Sequence, residues 1–195
     1  MFAQLYYMNL FLGYLEWIAV LTGLLYVLMA TGEDVWCWPF GILSSGIYIY
    51  INLGGHLYQD AILQSYYVVA GLYGWWAWSR PQTAVTTLHV HRLSFARHLP
   101  WFATGVVLTL ICGYLFSKVG NAYPYIDAAV TVFSFIATYL TARKVLENWI
   151  YWIVIDLVAA PMYYLKDLKA TSVLYVFFAI VAYYGYIEWK KQLQV

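Results

Sequence analysis

Seven apolar stretches, separated by short polar connections, constrain the fold of this chain more than any other feature. They fall at about residues 13–31, 35–54, 58–79, 98–117, 123–142, 147–165 and 170–189. Each has roughly the 20 residues that a helix needs to cross a bilayer. Because 64% of the 195 residues are hydrophobic and only 10% are charged, the chain has too few charges to cover a water-soluble domain. The sequence therefore predicts an all-α integral membrane protein with seven transmembrane helices.

The distribution of lysine and arginine predicts the orientation of these helices. With the N-terminus outside, the inner side receives seven cationic residues: Arg80, Arg92, Arg97, Arg143, Lys144, Lys190 and Lys191. The outer side receives only three: Lys118, Lys166 and Lys169. Since cytoplasmic loops carry the excess of these residues, we expect a multi-pass protein of the inner (plasma) membrane with a cytoplasmic C-terminus. The first residues lack a basic stretch, so the first spanning helix is expected to direct insertion.

The two halves of the chain are related by an internal repeat with an offset of 111 residues. The matched pairs are Trp38 with Trp149, Leu57 with Leu168, Leu63 with Leu174, Tyr73 with Tyr184, Gly74 with Gly185, Trp78 with Trp189 and Arg80 with Lys191. Each copy holds three helices, and one helix lies between the copies. The repeat predicts a SWEET-like 3+1+3 fold, in which two parallel three-helix repeats are joined by a linker helix. The expected domains are a first bundle at 1–80, a loop and linker helix at 81–122, and a second bundle at 123–195.

The sixth apolar segment carries an acid near its middle. A carboxylate at membrane depth costs about 3 kcal/mol on insertion scales, so Asp156 is not expected to face lipid. At helical spacing, one face holds Trp149, Trp152, Asp156, Ala159 and Tyr163. Two indoles, a carboxylate and a phenol on one face are suited to enclosing a flat cation. The alternative is that Asp156 only forms a bond to a neighbouring helix.

Two helices of the first half carry comparable faces. The face of the second helix holds Trp38, Gly41, Ser45 and Tyr48, and that of the third holds Gln64, Tyr67, Gly71, Gly74 and Trp78. The repeat matches Ser45 with Asp156, so one half has a neutral polar group where the other has an acid. The amide of Gln64 can bind a ligand or bond another helix. Trp75 lies near the predicted inner interface, where an aromatic belt is the alternative role.

Acids in apolar segments predict the class of ligand. Glu16, Asp127 and Asp156 have no lysine or arginine in the middle of a helix to pair with. Buried carboxylates without partners take up a proton or bind a cation. Together with the aromatic residues, this predicts an organic cation held by stacking and cation–π contact. Two alternatives stay open, namely a proton relay through the acids, and a structural or gating role in which Glu16 and Asp127 tie the first helix of each half to its bundle.

Other classes of function fit the sequence less well. The four histidines lie in loops or at helix ends, and Cys37 and Cys112 lie in separate segments, so neither a metal site nor a disulfide is expected. No nucleophile–base set predicts an enzyme, no motif predicts ATP binding, and a net charge of +1 does not indicate nucleic acid. No cofactor is expected. A non-transporting membrane scaffold remains a second hypothesis.

Three motifs resemble the PnuC family of vitamin transporters. The pattern Gln64-x2-Tyr67-x5-Tyr73-Gly74-Trp75-x2-Trp78 resembles the signature on the last helix of the family's first half. Two other recurrent segments of the family are similar to Trp38-Pro39-Phe40-Gly41 and Glu147-Asn148-Trp149-x2-Trp152, and the resemblance covers about residues 14–191. It implies facilitated diffusion of an unphosphorylated vitamin that an intracellular kinase then traps. It also implies a homotrimer in the bilayer.

The resemblance further implies a cationic vitamin as substrate, either thiamine or nicotinamide riboside. Family members that handle nicotinamide riboside tend to have asparagine where Asp156 stands, and a carboxylate pairs well with the aminopyrimidine of thiamine. We therefore expect the thiamine-type (PnuT) branch, with nicotinamide riboside as the alternative. The expected substrate-binding residues are Trp38, Ser45, Tyr48, Gln64, Tyr67, Trp75, Asn148, Trp152, Asp156 and Tyr163.

Overall fold

The chain is all-helical in the part that the structure describes. This computed structural model describes residues 2–55, 58–80, 88–120 and 122–193, with side chains for all of them except residues 2–11 and 58–59. The helices are α1 (Phe2–Thr31), α2 (Cys37–Gly54), α3 (Tyr58–Trp78), α4 (Phe95–Lys118), α5 (Pro124–Ala142), α6 (Asn148–Leu165) and α7 (Lys169–Gln192). Each apolar segment of the sequence coincides with one helix, so the predicted all-α class is confirmed.

Within the residues that the structure describes, four helices are long and apolar enough to cross a membrane. They are the stretch Leu12–Thr31 of α1 and the whole of α4, α5 and α7. Among the described residues, α2, α3 and α6 are not both long enough and apolar enough to meet this requirement. These three helices hold all the predicted substrate-binding residues. The multi-pass membrane character is confirmed, whereas a crossing by all seven helices stays a prediction.

The chain divides into two compact units, residues 1–81 and 82–195. In the first unit, α2 packs against both α1 and α3. In the second unit, α6 packs against both α5 and α7, and α4 packs against α5. The boundary lies in the predicted linker, of which residues 81–87 are outside the described residues, as is Leu57 of the sequence repeat.

The two units end their first repeat helix with the same backbone motif. After α1, Glu33 has a left-handed φ of 57°. The N–H of Glu33 donates to the carbonyl of Ala30 at 3.2 Å, and the N–H of Asp34 donates to that of Met29 at 3.2 Å. This pair of bonds is a Schellman motif, which satisfies carbonyls that a helix end leaves free.

The same motif recurs 111 residues later, after α5. Lys144 has a φ of 52°. Its N–H donates to the carbonyl of Thr141 at 2.9 Å, and the N–H of Val145 donates to that of Leu140 at 3.0 Å. All four residues are the repeat equivalents of those after α1. The repeat therefore extends to backbone conformation at a turn where the two sequences differ.

A tryptophan pair is also repeated in the two units. The rings of Trp38 and Trp78 meet edge to face, with centroids 5.3 Å apart and planes at 86°. The rings of Trp149 and Trp189 have the same separation of 5.3 Å and the same angle of 86°. Each pair joins the second and third helices of its repeat. The matched tryptophans of the sequence are thus matched contacts, one inside each unit.

The end of the predicted linker belongs to the second unit. His91 donates its N–H to the carbonyl of Lys144 at 3.1 Å, and its own carbonyl accepts the N–H of Leu146 at 2.9 Å. Glu147 accepts the N–H of Leu93 through Oε2 at 3.2 Å. These bonds hold the segment on the turn between α5 and α6. The polar composition of the linker predicts a connection but not this docking.

Candidate functional site

Helix α6 buries the face that the sequence predicts for the site. Asp156 and Trp149 are each 3% exposed and Ala159 is fully buried, while Trp152 and Tyr163 are partly buried. The opposite face exposes Ile150, Val154 and Leu157. The predicted stripe is therefore the face that α6 turns toward its neighbours.

Asp156 is the isolated charge on this face. No side chain or backbone group within the described ranges donates a hydrogen bond to its carboxylate or forms an ion pair with it. A buried carboxylate without such partners is costly when it is charged. Asp156 is therefore suited to hold a proton or to receive a cationic or hydrogen-bonding ligand.

Trp152 and Asn148 are joined through a residue that the motifs did not mark. The indole N–H of Trp152 donates to Oγ1 of Thr141 at 3.3 Å. The Thr141 hydroxyl shares its proton between two acceptors at 2.9 Å, Oδ1 of Asn148 and the carbonyl of Ala137. Nδ2 of Asn148 donates to the carbonyl of Val145 at 2.6 Å. Because Asn148 is fully buried and its amide is engaged on both sides, it is placed to orient Trp152. Its direct contact with a substrate stays a prediction.

Two further aromatic residues of α6, Tyr163 and Trp149, contact α7. Tyr163 stacks on Tyr175, with ring centroids 5.0 Å apart and planes at 12°. Trp149 packs against Trp189, as described above, and its Nε1 is buried without a hydrogen-bond partner among the described residues. Trp149 therefore has a packing role, and Tyr163 presents one ring face to a neighbour on α7.

In the first unit, Trp38 is enclosed by aromatic rings. It is 1% exposed, and its centroid lies 5.6 Å from that of Tyr26 and 5.3 Å from that of Trp78. Its Nε1, like that of Trp149, has no hydrogen-bond partner in the described part of the chain. Stacking of Trp38 on a ligand stays a prediction that requires one of these rings to move.

The other predicted residues of the first unit differ in accessibility. Ser45 is buried, at 7% exposure, and Trp75 is 40% exposed. Tyr48, Gln64 and Tyr67 are partly buried. The structure thus leaves room for contact with a ligand at these three residues and at Trp75. Their roles in binding stay predictions.

Asp127 does have a cationic partner, so its expected isolation is wrong. Nζ of Lys166 lies 2.6 Å from Oδ2 and 2.8 Å from Oδ1 of Asp127. The acid lies in the first turn of α5 and the lysine directly follows α6, so the chain brings two helix ends together. This ion pair agrees with the structural alternative for Asp127. Glu16 is exposed on α1.

Comparisons with known proteins point to one group of transporters. A family profile described as "Nicotinamide mononucleotide transporter" matches residues 13–191. The nicotinamide riboside transporter PnuC of Escherichia coli (strain K12) is 27% identical over 205 residues, which cover 91% of this chain and 85% of that protein. The riboflavin/roseoflavin transporter RibM of Streptomyces davaonensis is 27% identical over 171 residues, covering 86% of this chain and 80% of that protein. A crystal structure of the vitamin B3 transporter PnuC matches with a TM-score of 0.73 at 25% identity, covering 93% of this chain and 82% of that one.

Proposed function

The chain belongs to the nicotinamide mononucleotide transporter family, the PnuC family that its motifs resemble, and from this premise we propose that it carries nicotinamide riboside across the inner membrane. The relatives described above are named as transporters of nicotinamide riboside and of riboflavin, and these names do not support thiamine. These names support nicotinamide riboside over the thiamine that the sequence alone favoured. They also support transport over catalysis.

Buried, unpaired Asp156 is the observation that carries the proposal. Nicotinamide riboside has a permanently charged pyridinium ring. A carboxylate in a site of low dielectric attracts such a ring far more strongly than it does in water. The indole of Trp152, one turn away on the same face and oriented by Thr141, supplies a surface for stacking and cation–π contact.

Thiamine remains a second candidate because of the same carboxylate. Its thiazolium ring is also a cation, and its aminopyrimidine can donate a hydrogen bond to Asp156. Riboflavin, in contrast, is neutral, so it can donate hydrogen bonds to Asp156 but gains no charge–charge attraction from it. The response of each ligand to the loss of this charge therefore separates the candidates.

The mode of transport that we propose is facilitated diffusion followed by intracellular phosphorylation. The internal repeat supports two parallel three-helix bundles in a SWEET-like 3+1+3 arrangement, with the bundles rocking to give alternating access. We propose a homotrimer, with the N-terminus outside and the C-terminus in the cytoplasm. This proposal includes substrate binding by five residues of the first unit: Ser45, Tyr48, Gln64, Tyr67 and Trp75.

Titration calorimetry on the purified full chain tests the proposal. Nicotinamide riboside is expected to bind more tightly than thiamine or riboflavin. Asp156→Asn is expected to weaken both cationic ligands by at least about tenfold, the effect of one lost contact between opposite charges, and to weaken riboflavin less. Asp127→Asn is the matched control, because that acid is already paired with Lys166.

Three outcomes of the titration contradict the proposal in different ways. Tighter binding of thiamine would transfer the assignment to the second candidate. Equal affinity of the Asp156→Asn variant for nicotinamide riboside would remove Asp156 from the site. Absence of saturable binding for every vitamin would favour the membrane scaffold.

A further inference from the structure

The last three turns of α7 form a shallow basic cavity that transport of a vitamin does not require. The cavity has a volume of about 280 Å³ and is lined by Tyr183, Tyr186, Ile187, Lys190 and Lys191. These residues follow a helical spacing of three and four, so they share one face of α7. Lys190 and Lys191 are both exposed. The cavity therefore has an aromatic and apolar floor and a cationic end.

A third cation reaches the cavity from the linker. Nη2 of Arg92 donates to the Tyr186 hydroxyl at 3.4 Å. Two carboxylates lie nearby, Glu147 at 3.6 Å from Nε of Arg92 and Glu188 at 2.6 Å from Nζ of Lys191. Lys190 forms no ion pair with any residue that the structure describes. Three cations thus face two acids, and the cavity has a net positive charge.

An apolar stripe continues from the cavity along α7. Its exposed residues are Val173, Val176, Phe177, Ile180, Tyr183, Tyr184 and Ile187. At 1.5 Å per residue the stripe is about 20 Å long, which is comparable to one extended acyl chain. The lysines follow it directly, as expected where a helix leaves the hydrocarbon core and enters the headgroup region.

The first unit lacks this combination at its equivalent helix end. There, the guanidinium of Arg80 lies 3.7 Å from the centroid of the Trp76 ring. The position equivalent to Lys190 is Ser79, and the position equivalent to Tyr186 is Trp75. The cationic cluster is therefore specific to α7 and does not follow from the repeat.

We propose that this surface, consisting of the cavity residues with Arg92 and called here the α7 basic site, binds an anionic phospholipid. The ammonium groups of Lys190 and Lys191 and the guanidinium of Arg92 would hold the phosphate. One acyl chain would lie along the apolar stripe. Basic pockets of this kind at the end of a membrane helix recognise anionic headgroups, and the charge excess selects against a zwitterionic lipid.

Native mass spectrometry of the full chain in detergent tests the site without any transport substrate. Equal amounts of phosphatidylglycerol and phosphatidylcholine are added, and the retained copies are counted. We expect preferential retention of phosphatidylglycerol and a loss of this preference by at least about tenfold in K190Q/K191Q. The control, R97Q/K144Q, removes two charges from the same predicted side and should keep the preference. Inorganic phosphate should compete poorly, because it lacks the acyl chain.

Several results would overturn the proposal. Equal retention of the two lipids by the unmodified chain would remove anion selectivity, and an unchanged preference in K190Q/K191Q would place the lipid elsewhere. An equal loss in both double variants would indicate a diffuse effect of charge. Displacement of lipid by inorganic phosphate at similar concentration would indicate a site for a free anion. A further result would combine no lipid preference in the unmodified chain with a loss of oligomers in K190Q/K191Q. It would mean that this surface binds a second copy of the chain.

Discussion

The hydroxyl of Thr141 distinguishes the second unit from the first at the level of single residues. It accepts a hydrogen bond from Trp152 and shares its proton between Asn148 and the carbonyl of Ala137. The repeat equivalents of Thr141, Asn148 and Trp152 are Ala30, Cys37 and Gly41, and none of these side chains can form the same network. Two units with the same helix packing therefore hold different groups at the same place.

Removal of this hydroxyl should destabilise the protein and loosen Trp152. Thr141→Val keeps the shape but leaves Oδ1 of buried Asn148 without its donor, so the free energy of unfolding should fall by about 1–3 kcal/mol. Thr141→Ser keeps the donor and should lose less. Thermal unfolding in detergent measures the difference, and calorimetry should show weaker binding of nicotinamide riboside only for the valine variant. Equal stability of the two variants would refute the network.

The hydrogen-bond and ion-pair partners of individual side chains were the hardest feature to predict from the sequence. The face of α6 with Trp152 and Asp156 followed from helical periodicity alone, since burial obeys the 3.6-residue period. The ion pair of Asp127 and Lys166 did not, because the partners are separated by 39 residues and meet only through the ends of two helices. Periodicity assigns a residue to a face, whereas a partner depends on how neighbouring helices are aligned along their axes.

At the scale of secondary-structure elements, the contact of Gly185 on α7 with the indole of Trp149 on α6 allows these two helices to pack closely. A Cβ added to Gly185 would lie 2.7 Å from Cε2 of Trp149, a distance well below that of van der Waals contact. Gly74 meets Trp38 in the same way in the first unit. The two equivalent helix pairs therefore depend on the same absence of a side chain.

Alanine at this position should destabilise the protein although alanine favours helix. Gly185→Ala forces the indole or the helix to move and should lower the free energy of unfolding by about 1–3 kcal/mol. Gly46 of α2 is the matched control, since no atom lies within 4 Å of a Cβ there. Gly46→Ala should be neutral or stabilise by up to about 1 kcal/mol. If the unfolding curves of both variants shifted in the same direction, the proposed close packing at Gly185 would be contradicted.

The positions of the helices were predictable from the sequence, but the backbone conformations of some connections were not. The seven apolar segments marked the helices because each must bury or insert an apolar surface. The Schellman ends at Glu33 and Lys144 carried no glycine signal, since both residues adopt the left-handed region with a side chain. The docking of His91 on the turn after α5 uses backbone groups, which every residue possesses. Neither feature leaves a pattern in residue types.

At the scale of the whole molecule, the distribution of charge predicts how the chain lies in the membrane. Seven cations on the predicted inner side and three on the outer side favour an N-terminus outside and a C-terminus inside. The α7 basic site contributes three of the seven. An odd number of crossings is required for this arrangement, and the seven predicted crossings satisfy it.

Reporter fusions test both the orientation and the number of crossings. Green fluorescent protein fused after Val195 should fluoresce, because it folds in the cytoplasm, and alkaline phosphatase at the same place should be inactive. Phosphatase fused after Lys118, at the end of α4, should be active, since four crossings return the chain to the outside. Fusion after Arg80 provides the internal control, because three crossings end inside. An active phosphatase after Val195 would mean an even number of crossings or a reversed orientation. A Lys118 fusion that stays active would then assign the lost crossing to α5, α6 or α7. An inactive Lys118 fusion would indicate a lost crossing among α1–α4 or a reversed orientation.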